Sequence, residues 1–405
     1  MKILLSAYAC EPNKGSEPEV GWKWATELSK LNNEVYVITR LNNKENIEKE
    51  IKKSNFENLN FIYFDYPNWF LKIFKGKKNR FSYFYFYMWQ IGIYFVAKKI
   101  IRNKKFDYIH HVTFVSYRYP SFLCLLNIPF IFGPIAGGEE SPKNLRVNFD
   151  LKSKTKEYLR DLSNKIIKFS PFVNMVFKKS QKIIVTTDET KSKIPKKYHY
   201  KTFTELAISP NDEILIEKNL SFKESNNLFQ ICFAGVFEHR KGIYIILETI
   251  KKLKQKNIKF IFNFYGDGPI KNFIKNYIVK TNLQNEVKLH GKVSYEKINK
   301  ELIKNDIFLF PSLRDSGGFV LFEAMQAGLP CIVLNLGGPA KIIDQKCGIK
   351  IDVDGKSQTQ IIKEICNNLS YLSKNKNKIN EMSKNCLINL NNFSWSNKIK
   401  KIYNL

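Results

Sequence analysis

The sequence lacks paired cysteines, a recognisable signal peptide and a long apolar segment. Its seven cysteines are scattered along 405 residues and never form a C-x-x-C pair. This distribution argues against a disulfide framework and a zinc site and favours free thiols in a reducing cytoplasm. The N-terminal residues Met1–Tyr8 become polar too early for a signal peptide and favour a first buried strand. These absences predict a cytoplasmic globular protein.

Acidic residues are also scarce: 37 Asp and Glu stand against 66 Lys and Arg, which gives a formal net charge of +29. Such an excess attracts polyanions, whether nucleic acid, anionic lipid or an anionic substrate. Lysine is frequent throughout the chain, so a general compositional bias explains the total equally well. A nucleic-acid-binding protein is disfavoured, because the sequence has no recognition helix, RNP sequence or zinc finger.

One uncharged run, Phe81–Ala97, is rich in aromatic residues and is flanked by lysines and arginines. It lies at the short limit for a transmembrane helix and contains several tyrosines and Gln90. We favour a helix that buries one face in its domain. A helix resting on an anionic membrane surface is the second interpretation, and a true span is the third.

The length allows two domains, and short apolar runs alternate with segments of helical period, as in a doubly wound α/β fold. The polar stretch from Ala207 to Asn227 predicts a linker. We therefore predict a Rossmann-like domain over residues 1–207, a second over 208–388 and a C-terminal helix over 389–405. The predicted strands are Lys2–Tyr8, Glu34–Thr39, Asn60–Phe64, Tyr108–Val112, Phe130–Gly133, Lys182–Thr186, Gln230–Ala234, Lys259–Tyr265, Val287–His290, Ile307–Phe310 and Cys331–Asn335.

The most informative motif places Asp315 and Glu323 on either side of the glycine pair Gly317–Gly318. A predicted strand precedes this motif and a predicted helix over 320–327 follows the glycines. Free N–H groups and the positive dipole end of the helix suit a phosphate, and carboxylates accept hydrogen bonds from hydroxyls. Such a turn suits a nucleotide sugar. The alternative is that Asp315 caps the turn, Glu323 is an ordinary helix charge and the glycines only permit tight geometry.

Several blocks in order resemble the GT-B glycosyltransferases, specifically the retaining group called family 4. They are Ser6–Trp22, Asp107–Phe114, Gly133–Glu140, Phe233–Gly242, Gly266–Pro269, Leu289–Gly291 and Asp315–Glu323, the last resembling the family's paired-glutamate motif. The resemblance covers nearly the whole chain. It implies an α/β fold of two Rossmann-like domains facing a cleft, with the C-terminal helix returning to the N-terminal domain. It also implies that the first domain binds the acceptor and the second binds the nucleotide-sugar donor.

The resemblance assigns roles to individual residues. Donor binding falls to Gly15, Gly235, Arg240, Lys241, Gly266, Asp315, Gly317, Gly318, Phe319, Val320, Leu321 and Glu323. The acceptor side comprises Glu17, His110, His111, Gly137, Gly138 and Glu139. Catalytic roles fall to Asp315, Glu323, Lys241 and His111, with Lys241 on the donor diphosphate and Glu323 on the ribose.

The sequence departs from the family pattern at three places. Asp315 replaces a glutamate, so its carboxylate reaches one methylene less far. Val236 stands where many relatives have an arginine, and Arg240 is a candidate substitute. The usual histidine position is Val112, so we favour His111 over His110 as its substitute; a structural strand end is the alternative for both histidines.

The predicted activity is retaining, metal-independent transfer of a sugar from a UDP- or GDP-linked donor to a saccharide or lipid-linked acceptor, in cell-surface polysaccharide synthesis. No cofactor besides the donor substrate and no nucleic-acid partner is expected. An anionic membrane surface is a further candidate partner, with peripheral contact at the inner face of the cell membrane. Asp352-Val-Asp354 favours a surface turn over a metal site. A GT-B-like binding protein without transfer activity is the alternative function.

Overall fold

The computed structural model describes residues 1–54, 56–75, 82–114, 116–210 and 228–404. The chain forms two compact units, one of Met1–Gly138, Leu162–Ile208 and Trp395–Leu405 and the other of Glu139–Asp161 and Ser209–Ser394. The predicted division at residue 207 had assigned Glu139–Asp161 to the first domain. In the structure this segment packs with the second unit, where Glu157 forms an ion pair with Arg314. Most of the predicted linker lies outside the described residues.

The first unit contains a seven-stranded parallel sheet. Its strands are β1 (Lys2–Ser6), β2 (Glu34–Thr39), β3 (Leu59–Tyr63), β4 (Tyr108–His111), β5 (Phe130–Ile135), β6 (Lys182–Val185) and β7 (Thr202–Thr204), in the order β3-β2-β1-β4-β5-β6-β7. The helices are α1 (Ser16–Lys30), α2 (Lys44–Ile51), α3 (Asn68–Lys75), α4 (Ser82–Asn103), α5 (Leu151–Ile166), α6 (Pro171–Lys179) and α7 (Asp188–Lys193); α5 begins within residues of the second unit. The central strands β1, β4 and β5 are buried along nearly their whole length, as a sheet covered on both faces requires.

The second unit contains a six-stranded parallel sheet in the order β10-β9-β8-β11-β12-β13. The strands are β8 (Phe229–Ala234), β9 (Phe260–Tyr265), β10 (Val287–Gly291), β11 (Ile307–Phe310), β12 (Cys331–Leu334) and β13 (Gly348–Ile351). The helices are α8 (Ile243–Gln255), α9 (Lys271–Lys280), α10 (Tyr295–Leu302), α11 (Phe319–Gln326), α12 (Gly337–Ile342), α13 (Gln358–Lys374) and α14 (Lys376–Leu390). This strand order is that of a Rossmann-like sheet. Successive strands are added in one direction from β8 to β10 and in the opposite direction from β11 to β13, so the order reverses between β8 and β11.

The last helix, α15 (Trp395–Tyr403), belongs to the first unit. The indole of Trp395 packs edge-on against that of Trp24, with ring centroids 5.5 Å apart. The hydroxyl of Tyr403 lies 2.6 Å from Nδ1 of His110. The expected return of the C-terminal helix to the first unit is therefore confirmed.

Helix α4 contains most of the uncharged aromatic run, and it buries one face in the core of the first unit. Phe86, Trp89, Ile93 and Ala97 are fully buried there, whereas Phe95 is 63% exposed. The interpretation as a core helix is confirmed for this face. Phe81 and several of the preceding cations lie outside the described residues. In the part of the chain that the structure describes, no helix combines the length and the apolarity needed to cross a bilayer.

Candidate functional site

The candidate site is built on the loops that follow β8 and β11. These two strands are neighbours in parallel register, with Ile231 opposite Ile307. The chain leaves β8 toward the helices on one side of the sheet and leaves β11 toward those on the other. Ligands of doubly wound sheets bind at the carboxyl ends of the strands where this reversal occurs. The fold alone therefore predicts a ligand site at the loops that contain Lys241 and Asp315.

Backbone contacts join the two loops. The N–H of Leu313 donates to the carbonyl oxygen of Arg240 at 2.8 Å, and Nη1 of Arg240 donates to the carbonyl oxygen of Arg314 at 3.2 Å. Between them, Gly242 has φ of 73°, and a Cβ there would lie 2.0 Å from the carbonyl oxygen of Pro311. Glycine is required at this position, because any side chain would push the loops apart.

Lys241 and Asp315 form an ion pair at the centre of the joined loops. The ammonium of Lys241 bonds Oδ2 of Asp315, and the two side chains are only 13% and 14% exposed. Oδ1 of Asp315 accepts hydrogen bonds from the N–H groups of Gly317 and Gly318 at 3.1 and 3.0 Å. These two amides are therefore not free for a phosphate, and the geometry agrees with the alternative interpretation in which Asp315 caps the turn. The short aspartate folds back on its own turn, as aspartates commonly do.

The charges of this pair affect each other's ionisation. Burial alone would raise the pKa of Asp315, but the Lys241 ammonium, the Gly318 N–H and Arg240 together hold this pKa below its usual value. Burial and the nearby Arg240 lower the pKa of Lys241, while Asp315 opposes that change. The carboxylate is therefore held ionised beside a poorly solvated cation.

Glu323 lies on α11, which begins just after the glycine turn. Burial raises the pKa of its carboxyl group to about 7. Among the described residues, none forms an ion pair or hydrogen bond with this carboxylate. A carboxylate in that position is suited to accept hydrogen bonds from hydroxyl groups that enter the site.

A second glycine pair, Gly337–Gly338, supports the turn and was not singled out in the sequence. The N–H of Gly338 donates to the carbonyl oxygen of Asp315 at 2.9 Å. Gly337 has φ of 56°, and a Cβ there would lie 2.3 Å from the same oxygen. Both glycines follow the buried strand β12, just as Gly317 and Gly318 follow β11, and this repetition is the signal that could have identified them.

A buried ion pair holds the residue before Asp315. Arg314 donates from Nη2 to Oε1 of Glu157 at 2.7 Å and from Nε to Oε2 at 3.2 Å. The hydroxyl of Ser141 also donates to Glu157, at 3.1 Å. Burial opposes ionisation of Glu157, but Arg314 keeps its pKa below the usual value. Sequence patterns could not identify this pair, since its members are 157 positions apart.

The other predicted donor residues lie at the same edge of the second sheet, except for Gly15. Gly266 follows β9, and its Cβ would lie 1.9 Å from the carbonyl oxygen of Gly235, which follows β8. Phe319 and Val320 begin α11 at partly exposed positions, and Leu321 is buried. Gly15 belongs to the first unit and precedes α1.

Arg240 does not extend freely into the site as a substitute for the arginine missing at Val236. Its Nε donates to Oε2 of Glu238 at 2.5 Å, so this acidic neighbour partly neutralises its charge. The side chain nevertheless remains at the loop that carries Lys241. Arg240 is therefore a weaker source of positive charge than the sequence suggested.

The two histidines end β4 and are both buried. Nδ1 of His110 contacts Tyr403, and its Nε2 lies 2.5 Å from the carbonyl oxygen of Gly133, so internal partners occupy both ring nitrogens. His111 packs against the rings of Phe86 and Phe132, and its Nδ1 has no partner among the described residues. Burial lowers the pKa of both imidazoles to about 3, so they are neutral.

The remaining residues predicted on the acceptor side divide between the units. Glu17 lies in the first turn of α1, and Gly137 and Gly138 follow β5 in the first unit. The N–H of Gly138 donates to Oγ1 of Thr190 at 3.1 Å. Glu139 belongs to the second unit, where its Cγ would lie 3.7 Å from a Cβ at Gly337. The structure therefore places Glu139 beside the loop of Asp315.

The segment Asp352-Val-Asp354 leads from β13 into a turn. Oδ1 of Asp352 accepts a hydrogen bond from the side-chain amide of Asn335 at 2.7 Å. Within the described ranges, no three His, Cys, Asp or Glu residues come together as a candidate metal cluster.

Comparison with known proteins identifies related sequences. Residues 216–385 match the family model described as glycosyl transferases group 1. The chain is 35% identical over 112 residues to the 2-deoxystreptamine N-acetyl-D-glucosaminyltransferase of Niallia circulans, covering 28% of this chain and 29% of that protein. It is 31% identical over 204 residues to the UDP-Gal:alpha-D-GlcNAc-diphosphoundecaprenol alpha-1,3-galactosyltransferase of Escherichia coli, covering 49% of each. The matches thus span half or less of these curated relatives.

Solved structures match the chain over nearly its whole length. A glycosyltransferase from Rickettsia africae has a TM-score of 0.65 at 17% identity, covering 99% of this chain and 97% of its own. Anabaena HepE in complex with UDP has a TM-score of 0.61 at 13% identity, covering 100% of this chain and 99% of its own. At these identities the matches establish a shared fold. The chain has the two parallel-sheet, Rossmann-like units of the GT-B fold.

Proposed function

We propose that this protein is a glycosyltransferase that moves a sugar from a UDP- or GDP-linked donor to a saccharide or lipid-linked acceptor. The observation that carries the proposal is the Lys241–Asp315 pair, which lies at the switch point of the second sheet and directly before the helix of Glu323. These residues fall within the segment that matches the glycosyltransferase family model. The names of the two curated relatives, one of which acts on a diphosphoundecaprenol-linked sugar, support this reaction class and a lipid-linked saccharide as an acceptor.

In this proposal, Lys241 neutralises the donor diphosphate. An ammonium has three donor hydrogens, so Lys241 can keep its bond to Asp315 while it donates to phosphate oxygens. Asp315 then fixes both the ammonium and the glycine turn. A cation positioned before the reaction stabilises the negative charge that develops on the departing diphosphate. The solved complex of HepE with UDP supports a uridine diphosphate as the first nucleotide to test.

Glu323 binds hydroxyl groups of the donor, and we assign it to the ribose. Its carboxyl group has a pKa raised to about 7 by burial. Hydroxyl donors favour the charged form, so the bound donor stabilises the carboxylate. Recognition of the ribose is independent of the base, which is consistent with either a UDP- or a GDP-linked donor.

We further propose that transfer retains the anomeric configuration and does not require a metal ion. The proposal follows from the resemblance to the retaining family, in which the leaving phosphate assists attack on the same face. Glu17, His111, Gly137 and Gly138 are the proposed acceptor side. Nuclear magnetic resonance of the product tests retention, and unchanged rates in a chelator test metal independence.

A thermal-shift screen against UDP- and GDP-linked sugars tests the proposed function, because a ligand that binds the folded state raises its stability. We expect at least one nucleotide sugar to raise the Tm and then to act as donor in a transfer assay. A rise in Tm without transfer or hydrolysis would favour the alternative, a GT-B-like binding protein. Failure of every nucleotide sugar to bind would contradict the proposal.

A further inference from the structure

Helix α5 has the reverse of the usual amphipathic arrangement. Its inward positions are polar: Glu157 is 3% exposed and pairs with Arg314, and Asn164 is 1% exposed and accepts a hydrogen bond from Arg118. Asp161 pairs with Arg146 at 2.6 Å. A helix on the surface of a globular protein normally turns its apolar side chains toward the core. Here the inward face is held by ion pairs.

The outward face of α5 carries the apolar residues. Leu151, Tyr158, Leu159, Leu162 and Ile166 are 39% to 81% exposed. At 3.6 residues per turn, these positions fall within an arc of about 100° on one side of the helix. An exposed apolar stripe of this kind marks a surface that contacts a partner or a membrane.

Lysines border the stripe on both sides. By helical position, Lys152 lies at one edge, and Lys154 and Lys165 lie at the other. All three are exposed. Long lysine side chains can lie along an apolar surface and place their ammonium groups at the level of lipid phosphates. Apolar residues flanked by cations are typical of a helix that lies in the interface of an anionic bilayer.

We propose that α5 is a membrane-docking helix, whose outward stripe enters the surface of an anionic lipid bilayer. Among the candidate partners, an anionic bilayer matches both the apolar stripe and its flanking lysines. Helix α4, for which the sequence offered membrane contact as the second interpretation, fits less well because it buries one face in the core of the first unit and because Tyr83 stacks on Tyr119 with ring centroids 5.4 Å apart. This inference rests on the proposed function, because the proposed acceptors include lipid-linked saccharides. Membrane docking would bring the protein to such acceptors.

Sedimentation of the full chain with vesicles tests the docking helix. The vesicles consist of phosphatidylcholine alone or of phosphatidylcholine mixed with phosphatidylglycerol. We expect the unchanged protein to bind the anionic vesicles at low salt. The double variant Leu159→Glu, Ile166→Glu should bind them at least about tenfold more weakly, because two apolar side chains no longer move from water into the bilayer. The matched control is Phe95→Glu on α4, which is equally exposed and should bind vesicles as the unchanged protein does.

A fluorescent label provides a second readout that does not depend on lost binding. The seven native cysteines are buried, so a dye that reports polarity can be attached selectively to Tyr158→Cys. Its emission should shift to the blue with anionic vesicles, whereas the same dye at Phe95→Cys should not respond. Equal lack of sedimentation with both vesicle types, or unchanged binding of the double variant, would overturn the proposal. So would a double variant that dissociates a dimer while it still binds vesicles.

The same preparations separate this inference from the proposed function. The double variant should keep the thermal shift given by a nucleotide sugar, because the altered residues face away from Arg314. Vesicle binding without any nucleotide-sugar binding would overturn the proposed function alone. Nucleotide-sugar binding and transfer without vesicle binding would overturn the docking helix alone.

Discussion

Lys241 and Asp315 are 74 positions apart in sequence, yet they form a nearly buried ion pair at the carboxyl edge of the second sheet. The backbone hydrogen bond from the N–H of Leu313 to the carbonyl oxygen of Arg240 joins the two loops, and Gly242 permits their close approach. The pair therefore has two roles. It holds the loops in place, and it presents a cation to an incoming diphosphate.

Removal of only one member of the pair should damage both stability and donor binding. Lys241→Ala leaves the Asp315 carboxylate buried without its cation, and such changes cost about 3–5 kcal/mol. The neutral double variant Lys241→Met, Asp315→Asn should recover most of the stability, because no buried charge is left unpaired. Neither variant should bind a nucleotide sugar. Chemical denaturation and calorimetry measure the two effects, and donor binding by the neutral double variant would contradict the role of Lys241.

Glu323 should make the unliganded protein less stable at neutral pH. Its folded pKa of about 7 lies above the ordinary glutamate value of 4.5. The folded state therefore binds more protons than the unfolded state between these values, and stability falls as the pH rises from about 4.5 to about 7. Glu323→Gln should remove this penalty and stabilise the protein at pH 7.5 by about 1–3 kcal/mol. Thermal melts of both proteins at pH 5 and 7.5 test this, and an equal difference at both pH values would argue against it.

Donor affinity should depend on pH through the same carboxyl group. Hydroxyl donors favour the carboxylate, so affinity should rise by about tenfold between pH 6 and 8 and then level off. A nucleotide sugar is the appropriate ligand, because the terminal phosphate of a free nucleoside diphosphate titrates in the same range. In Glu323→Gln the remaining weak affinity should not vary over this range. A wild-type affinity that is flat with pH would show that Glu323 does not contact the donor.

Much of the fold could be predicted because it depends on local sequence patterns. Every predicted strand is present, with ends shifted by a residue or two. The missed strands, β7 and β13, are short and lie at the outer edges of their sheets, where little burial is needed and apolar periodicity is weak. The glycine turn and Lys241 were also accessible, since each is a local motif after a buried strand.

The supports of the site could not be predicted, because they depend on contacts between distant segments. Glu157 belongs to none of the sequence motifs, and only the fold brings it against Arg314. The internal partners of His110 include Tyr403, which only the returning C-terminal helix supplies. The contact of Asp315 with its own turn was open to prediction as a cap, and the sequence alone could not choose between that cap and a free turn.

Glu157 should position the donor loop without contacting the donor. Glu157→Gln removes the charge that holds Arg314, so we expect a KM for the donor raised about five- to tenfold with a smaller change in kcat. The matched control is Asp161→Asn, which breaks the neighbouring Arg146 pair on the same helix. That variant should lose stability while its donor KM stays the same. Equal effects on KM would indicate a general loss of α5 rather than positioning of the loop.

Gly337 should tolerate no side chain. In Gly337→Ala the new Cβ would meet the carbonyl oxygen of Asp315 and would also force a left-handed backbone, so donor binding should fall by more than about tenfold. Gly355→Ala is the control, because Gly355 has φ of 70° but nothing within 4 Å of its Cβ position. The control reports backbone strain alone. Similar donor affinity in both variants would exclude a role for the Gly337 contact.

The most direct test of the proposed donor site is titration calorimetry with the nucleotide sugar selected by the thermal-shift screen. The unchanged protein should bind it with a defined stoichiometry, and Glu323→Gln should bind at least about tenfold more weakly although it is the more stable protein at pH 7.5. Equal affinity of the two proteins, or no binding of any nucleotide sugar by either, would contradict a donor site at Lys241, Asp315 and Glu323.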